Sequence, residues 1–282
     1  MNAIKTDIQD ISLLELDHPG ANDPAYRLRR AEIAALAARF RGTGEIGDVD
    51  YTPEERQTWR EAVSRLQVLH RRNASRRYLR AAANLEIGPD RIPQLSELNL
   101  KLAASGGFRL APVAGLIDGK LFLSELAGRT MLCTQYIRHA SRPEYTPEPD
   151  VVHELVGHAP TFTDPDFAAM TREIGRAAAA ADGDALEAIK RLYWFTVEFG
   201  LIREGADVRA FGAGLLSSFG ELEHCFGPDV DRRTFSSERV VAASYDFSAM
   251  QPVLFVAPPF PALRREVSSF LARLGVTGNK AE

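Results

Sequence analysis

Residues 149–160 read PDVVHELVGHAP, and further along residues 191–201 read RLYWFTVEFGL. The first stretch carries two histidines, His153 and His158, five positions apart; the second sets one acid, Glu198, in an otherwise apolar run. Two imidazoles and one carboxylate that leave coordination positions free form the facial set suited to non-heme Fe(II) and its reactions with O2. In an α-helix, at ~100° per residue, side chains five apart point ~140° away from each other. Both histidines can therefore meet one ion only if the helix ends or bends, and Gly157 and Pro160 are placed to do that. HELVGH resembles the HExxH of zinc peptidases, but its second histidine falls one residue late, which removes the geometric basis of that reading. Glu198 is flanked by Tyr193, Trp194, Phe195, Val197, Phe199 and Leu201, so it is expected to be buried. A bare carboxylate there would cost several kcal/mol, so it is protonated, ion-paired or metal-bound, and spacing alone leaves these three open.

The rest of the composition narrows the class. A chain of 282 residues with 45% hydrophobic and 26% charged residues can bury a large core as one domain. A net charge of −4 gives no reason to expect nucleic acid or an anionic membrane as partner. Cys133 and Cys225 make neither a disulfide framework nor a CxxC motif, and no stretch reads as a signal peptide or a membrane span. The expectation is a cytoplasmic protein.

Local signals point to a mainly helical α+β fold with small sheet pieces. Residues 1–22 read as an extended lead-in, 23–275 as one domain and 276–282 as a tail. A helix is expected over 24–40, with Asp23 as its cap and Pro24 in its first turn. Another is expected over 52–70, where Thr52 and Glu55 form a capping box and Trp59, Val63, Leu66 and Leu69 form a core stripe. A third follows Pro93. Residues 108–123 (FRLAPVAGLIDGKLFL) read as strands and loops, and helix returns over 150–157 and 166–200, with an end and turn near Ala178. FGAGLLSSFGEL (211–222), rich in Gly and Ser, suits close packing. PVLFVA (252–257) reads as a strand, and a last amphipathic helix starts at Pro261.

CTQYIRHASRPEYTPEPDVVHELVGHAP, YWFTVEFGL and FGAGLLSSFGEL, with DHPGANDPAYRLRR, IPQL and GFRLAPVAGL, closely resemble the catalytic domain of the pterin-dependent aromatic amino acid hydroxylases. Blocks this long and in this order are specific, and they span most of the chain. The resemblance implies Fe(II), a tetrahydropterin and O2, with a small aromatic amino acid as substrate. It implies His153, His158 and Glu198 as iron ligands, and Arg138, held by Asp150, as the receiver of the substrate carboxylate. A buried guanidinium fork suits that task. Thr146, Pro149 and Trp194 would line the substrate pocket. Phe122 would stack on the pterin, Gly115, Leu116 and Ile117 would read its edge, and Glu154 would stand near it. Tyr193 would lie close to the iron, with Ser217 and Glu221 supporting a ligand histidine and the pocket. Singly, Trp194 and Phe122 fit core packing as well; their place in the matched blocks is what favours the site.

The chain departs from the family at three positions. Leu132 and Gly128 stand where a polar residue and an aromatic are usual, and Phe247 stands where a smaller or polar residue helps set substrate preference. The resemblance implies phenylalanine as substrate, since Trp194 and Phe247 would make a tight apolar pocket with no partner for a phenol. The ring position would be para by default, with meta open. Tryptophan or tyrosine hydroxylation is the alternative within the family. A hydrolytic zinc enzyme and a silent amino-acid or pterin sensor are the alternatives outside it. Without a regulatory domain or a tetramerisation helix, a monomer or weak dimer is expected.

Overall fold

Capping chemistry sets the first two helices. In the computed structural model, which describes residues 18–275 apart from 41, 43 and 248, α1 (Pro24–Ala37) starts where Asp23 accepts from the amides of Ala25 and Tyr26. Helix α2 (Pro53–Asn73) starts at the reciprocal cap of Thr52 and Glu55. Residues 1–17 of the expected lead-in and the whole tail, 276–282, lie outside the described residues. Trp59, Val63 and Leu66 on α2 are buried in the core, and the Trp59 indole donates to the Gly88 carbonyl at 3.0 Å. Helix α3 (Arg76–Leu85), capped by Ser75, is not among the expected elements; its Tyr78 hydroxyl donates to the Val156 carbonyl at 2.7 Å. Helix α4 (Leu95–Ala103) follows Pro93 as expected.

Residues 108–123 correct the sequence reading. Strand β1 (Arg109–Pro112) is present, but the apolar run after it belongs to α5 (Gly119–Ala127). The Asp118 carboxylate accepts from the amides of Lys120 and Leu121, and so starts a helix where Leu121, Phe122 and Leu123 alone read as strand. Strand β2 (Thr130–Cys133) then pairs in parallel with β1.

Helix α6 (Pro165–Ala180) ends before Ala181, and α7 (Gly183–Tyr193) begins anew at Gly183, whose φ of +52° suits a residue without Cβ. Strands β3 (Leu201–Glu204) and β4 (Asp207–Ala210) form a hairpin around Gly205. Two short helices, α8 (Ala213–Ser217) and α9 (Phe219–His224), are followed by β5 (Asp231–Thr234), α10 (Ser237–Ala242), β6 (Val253–Ala257) and α11 (Phe260–Arg273). The second sheet has the order β4-β3-β6-β5, with β6 parallel to both β3 and β5. None of the described helices is long and apolar enough to cross a membrane.

Two segments are wider than an α-helix. His153–His158 and Trp194–Glu198 are turns of π type, with i→i+5 hydrogen bonding. The expected end or bend at Gly157 is therefore corrected: the helix opens by one residue, which brings positions five apart onto one face. It then tightens into a 3₁₀ turn over Ala159–Thr163.

Candidate active site

The two wide turns face each other. His153 Nε2 and His158 Nε2 lie 3.0 Å apart, and Glu198 places its oxygens 3.0 Å from His158 Nε2 and 3.5 Å from His153 Nε2. All three donor atoms fall within 4.8 Å of one another. Burial pushes the Glu198 carboxyl up, but His158 and then His153 outweigh it and hold Glu198 down to about 2. Burial takes His153 down to about 4, whereas in His158 the same burial is overcome by Glu198, which raises it. Lone pairs of two rings and a carboxylate thus converge on one point, and a cation there would serve all of them. Ser217 Oγ, 3.1 Å from His153 Nδ1, and Asp150, which accepts the His153 amide at 3.0 Å, orient the first ring.

Close approach of α8 depends on two glycines. A Cβ on Gly157 would stand 2.7 Å from the Ala213 carbonyl oxygen, and one on Gly212 2.4 Å from that of Glu198. Without those side chains α8 rests against both wide turns and brings Ser217 to His153.

Arg138 and Asp150 form a buried pair. Asp150 accepts from Arg138 Nε at 2.8 Å, Nη2 at 2.7 Å and the Arg138 amide at 2.8 Å, while Nη1 donates to the Pro143 carbonyl at 3.2 Å. Helix α1 supports this stretch through the Tyr26 hydroxyl, which donates to the Ile137 carbonyl at 2.9 Å, and through Arg30, stacked 3.9 Å over the Tyr136 ring.

A cavity of about 720 Å³ opens over the triad. Arg138, Thr146, Pro149 and Trp194 line it, as do Tyr193, Ser217 and Glu221. Gly115, Leu116, Ile117, Phe122, Leu132 and Glu154 also border it. Asp150 is fully buried behind Arg138, and Gly128 forms the C-cap of α5 away from the lining. Two carboxyls keep an oxygen without a hydrogen bond. Glu154 Oε1 takes the Thr134 amide and hydroxyl, each at 3.2 Å, and Glu221 Oε1 takes the Gln251 amide at 3.2 Å; Oε2 of each is buried and unpartnered. Burial lifts Glu154 to about 8 and Glu221 to about 7.

Phe247 does not close the cavity tightly. It borders the mouth but is 62% exposed, because its segment runs along the surface. The aromatic wall is made instead by Trp194 between Tyr245, stacked at 4.4 Å, and Phe199 at 4.6 Å. Tyr245, Phe199 and Gln251 are absent from the sequence-derived site. The one signal for Gln251 is a polar residue two positions before the apolar β6.

A buried cluster of two histidines and one carboxylate at the floor of a ligand-sized cavity is the build of a mononuclear metalloenzyme site. The chain belongs to the biopterin-dependent aromatic amino acid hydroxylases, which it matches over residues 3–277. It is 43% identical over 265 residues to the phenylalanine-4-hydroxylase of Rattus norvegicus, covering 93% of this chain and 58% of that one. It is also 43% identical over 265 residues to the tyrosine 3-monooxygenase of Homo sapiens, covering 93% of this chain and 50% of that one. The chain thus spans less than two thirds of the length of these curated relatives. The fold superposes on phenylalanine hydroxylase from Chromobacterium violaceum, a structure with bound iron(III) and 7,8-dihydrobiopterin. The TM-score is 0.74 and the identity 34%, over 80% of this chain and 84% of that one.

Proposed function

We propose that this chain, through a catalytic domain over residues 23–275, is an Fe(II)- and tetrahydropterin-dependent monooxygenase. It hydroxylates the ring of phenylalanine with O2, at the para position. The observation that carries this reading is the convergence of His153, His158 and Glu198 on one point at the floor of the cavity. When bound, iron and pterin supply the oxidising power by activating O2; the protein supplies position and surroundings.

His153, His158 and Glu198 would hold the iron, while Ser217 keeps His153 in register. The Arg138 fork, braced from behind by Asp150, receives the substrate carboxylate beside Thr146 and Pro149. Phe122 and the backbone of Gly115, Leu116 and Ile117 would accommodate a flat pterin, and the unpartnered Oε2 of Glu154 would offer it a hydrogen-bonding partner. Leu132 gives the pterin side an apolar contact. Tyr193 stands beside Glu198, and Glu221 backs the pocket wall. Trp194 faces the substrate ring. Its indole N–H is already taken by Gln251, so Trp194 itself offers a phenol no free donor. Burying a hydroxyl unpaired costs on the order of 1–3 kcal/mol, which favours phenylalanine over tyrosine.

The test is a competition. The Fe(II)-loaded protein receives phenylalanine, tyrosine and tryptophan in equal amounts with a tetrahydropterin, and products are quantified by mass spectrometry. Tyrosine formed from phenylalanine should dominate. Dominant hydroxylation of tyrosine or tryptophan would overturn the substrate assignment, and meta-tyrosine as main product the ring position. Iron bound with no product at all would favour a silent sensor.

A further inference from the structure

Gln251 is 1% exposed, and every hydrogen-bonding group of its side chain is used. Its Oε1 accepts from Trp194 Nε1 at 3.1 Å. Its Nε2 donates to the carbonyls of Asp246 at 2.7 Å and Ala249 at 2.6 Å. Its own amide donates to Glu221 Oε1 at 3.2 Å. One residue thus joins the indole of the pocket wall, the carbonyls of Asp246 and Ala249, and a buried carboxyl that lines the cavity.

The stacking partners of Trp194 cannot do this work alone. Tyr245 lies nearly parallel to the indole, at 19°, and Phe199 is tilted by 34° on it. Such contacts fix the plane of the ring. They do not fix which edge faces the cavity, because a half-turn about the bond to the ring keeps the plane and swaps the edges. Only a directional bond to the single N–H selects the edge, and Gln251 is where that bond ends. Its two donors meanwhile hold the carbonyls of the neighbouring segment inward, so wall and mouth have one common support.

Building on the function proposed above, we propose that Gln251 is a positioning residue that sets ring selectivity, by fixing the edge of Trp194 and the backbone carbonyls of Asp246 and Ala249 together. It touches neither substrate nor metal in this account; it acts through Trp194.

The test uses Gln251→Met, of similar length but without the three side-chain bonds, and Gln251→Glu, which keeps an acceptor for the indole and loses both donors. In protein labelled with 15N-tryptophan, only Trp59 and Trp194 give indole N–H signals, and Trp194→Phe assigns them. In Gln251→Met the Trp194 N–H should shift and exchange with solvent several-fold faster, while the Trp59 signal stays in place. Gln251→Glu should restore most of the Trp194 protection. With iron content unchanged, Gln251→Met should change the ratio of kcat/KM for phenylalanine over tryptophan several-fold, and release more oxidised pterin per hydroxylated product. Gln251→Glu should fall between it and the wild type. An unmoved Trp194 signal in Gln251→Met overturns the proposal whether or not the protein hydroxylates anything. A moved signal with wild-type selectivity and coupling also overturns it. Failure of the wild type to hydroxylate any aromatic amino acid would instead strike the proposed function, since the N–H measurement needs no turnover.

Discussion

His153, His158 and Glu198 could be read as a set because each is chemically out of place: two imidazoles in a tight run, and an acid among aromatics. What could not be read was how residues five apart meet. Backbone widening to i→i+5 has no side-chain signature in HELVGH, so an end or bend at Gly157 stood in for it. His158 sits closest to Glu198 and is the more deeply buried ring, so His158→Ala should lose nearly all bound iron, measured by metal analysis after anaerobic loading, and all turnover. Full iron content and a normal rate would remove the triad from the account. Arg138 is argued on geometry as well as charge. Arg138→Lys keeps the charge and loses the fork on Asp150, so KM for phenylalanine should rise roughly tenfold or more while kcat falls less. An unchanged KM, or equal use of phenethylamine, would contradict that role. Gln251 was passed over because a lone glutamine before a strand has no motif; its role exists only through the partners that the fold brings to it.

Elements were legible where caps were written plainly, and less so where apolar runs were short. Thr52 with Glu55 announced α2, but Ser75 before RRYLRAAANL and Asp118 before GKLFL also cap helices, and glycine and proline around the second made it read as strand and loop. The β3–β4 hairpin was missed because its strands are short and the turn rests on the single Gly205. The wide turn and α8 make a joint that can be tested on its own. In Gly157→Ala the new methyl would lie 2.7 Å from a backbone oxygen, so the turn or α8 must move. A loss of roughly 1–3 kcal/mol in denaturant unfolding is expected, with weaker iron binding because His153 loses its register with Ser217. Gly88→Ala, where a Cβ meets nothing within 4 Å, is the matched control and should leave iron affinity unchanged. Equal behaviour of the two variants would contradict the claim that close packing of α8 shapes the site.

Across the whole molecule, the scaffold and the site share a buried histidine. His70 on α2 lies 2.7 Å from the carbonyl of Leu216 on α8, and burial depresses its pKa from 6.5 to about 4. The folded protein holds this ring neutral, whereas the unfolded chain takes up the proton near the ordinary value. Stability from this group is therefore full above about pH 6.5 and is lost as pH falls from there toward 4, by on the order of 3 kcal/mol. His70→Gln, which can still donate to Leu216, should flatten that part of the unfolding curve; a slope equal to the wild type's would contradict it. The overall class was readable because the long ordered blocks are tied to the site, while the exposure of Phe247 follows from a surface path that local sequence does not encode. The central claim is that this fold uses O2 at a two-histidine, one-carboxylate iron site to hydroxylate phenylalanine. It is tested most directly by turnover under 18O2 in unlabelled water, with Fe(II), a tetrahydropterin and phenylalanine. The account predicts tyrosine carrying one 18O atom, formed only by protein that holds iron. Unlabelled tyrosine, or labelled product made equally well by metal-free protein, would contradict it.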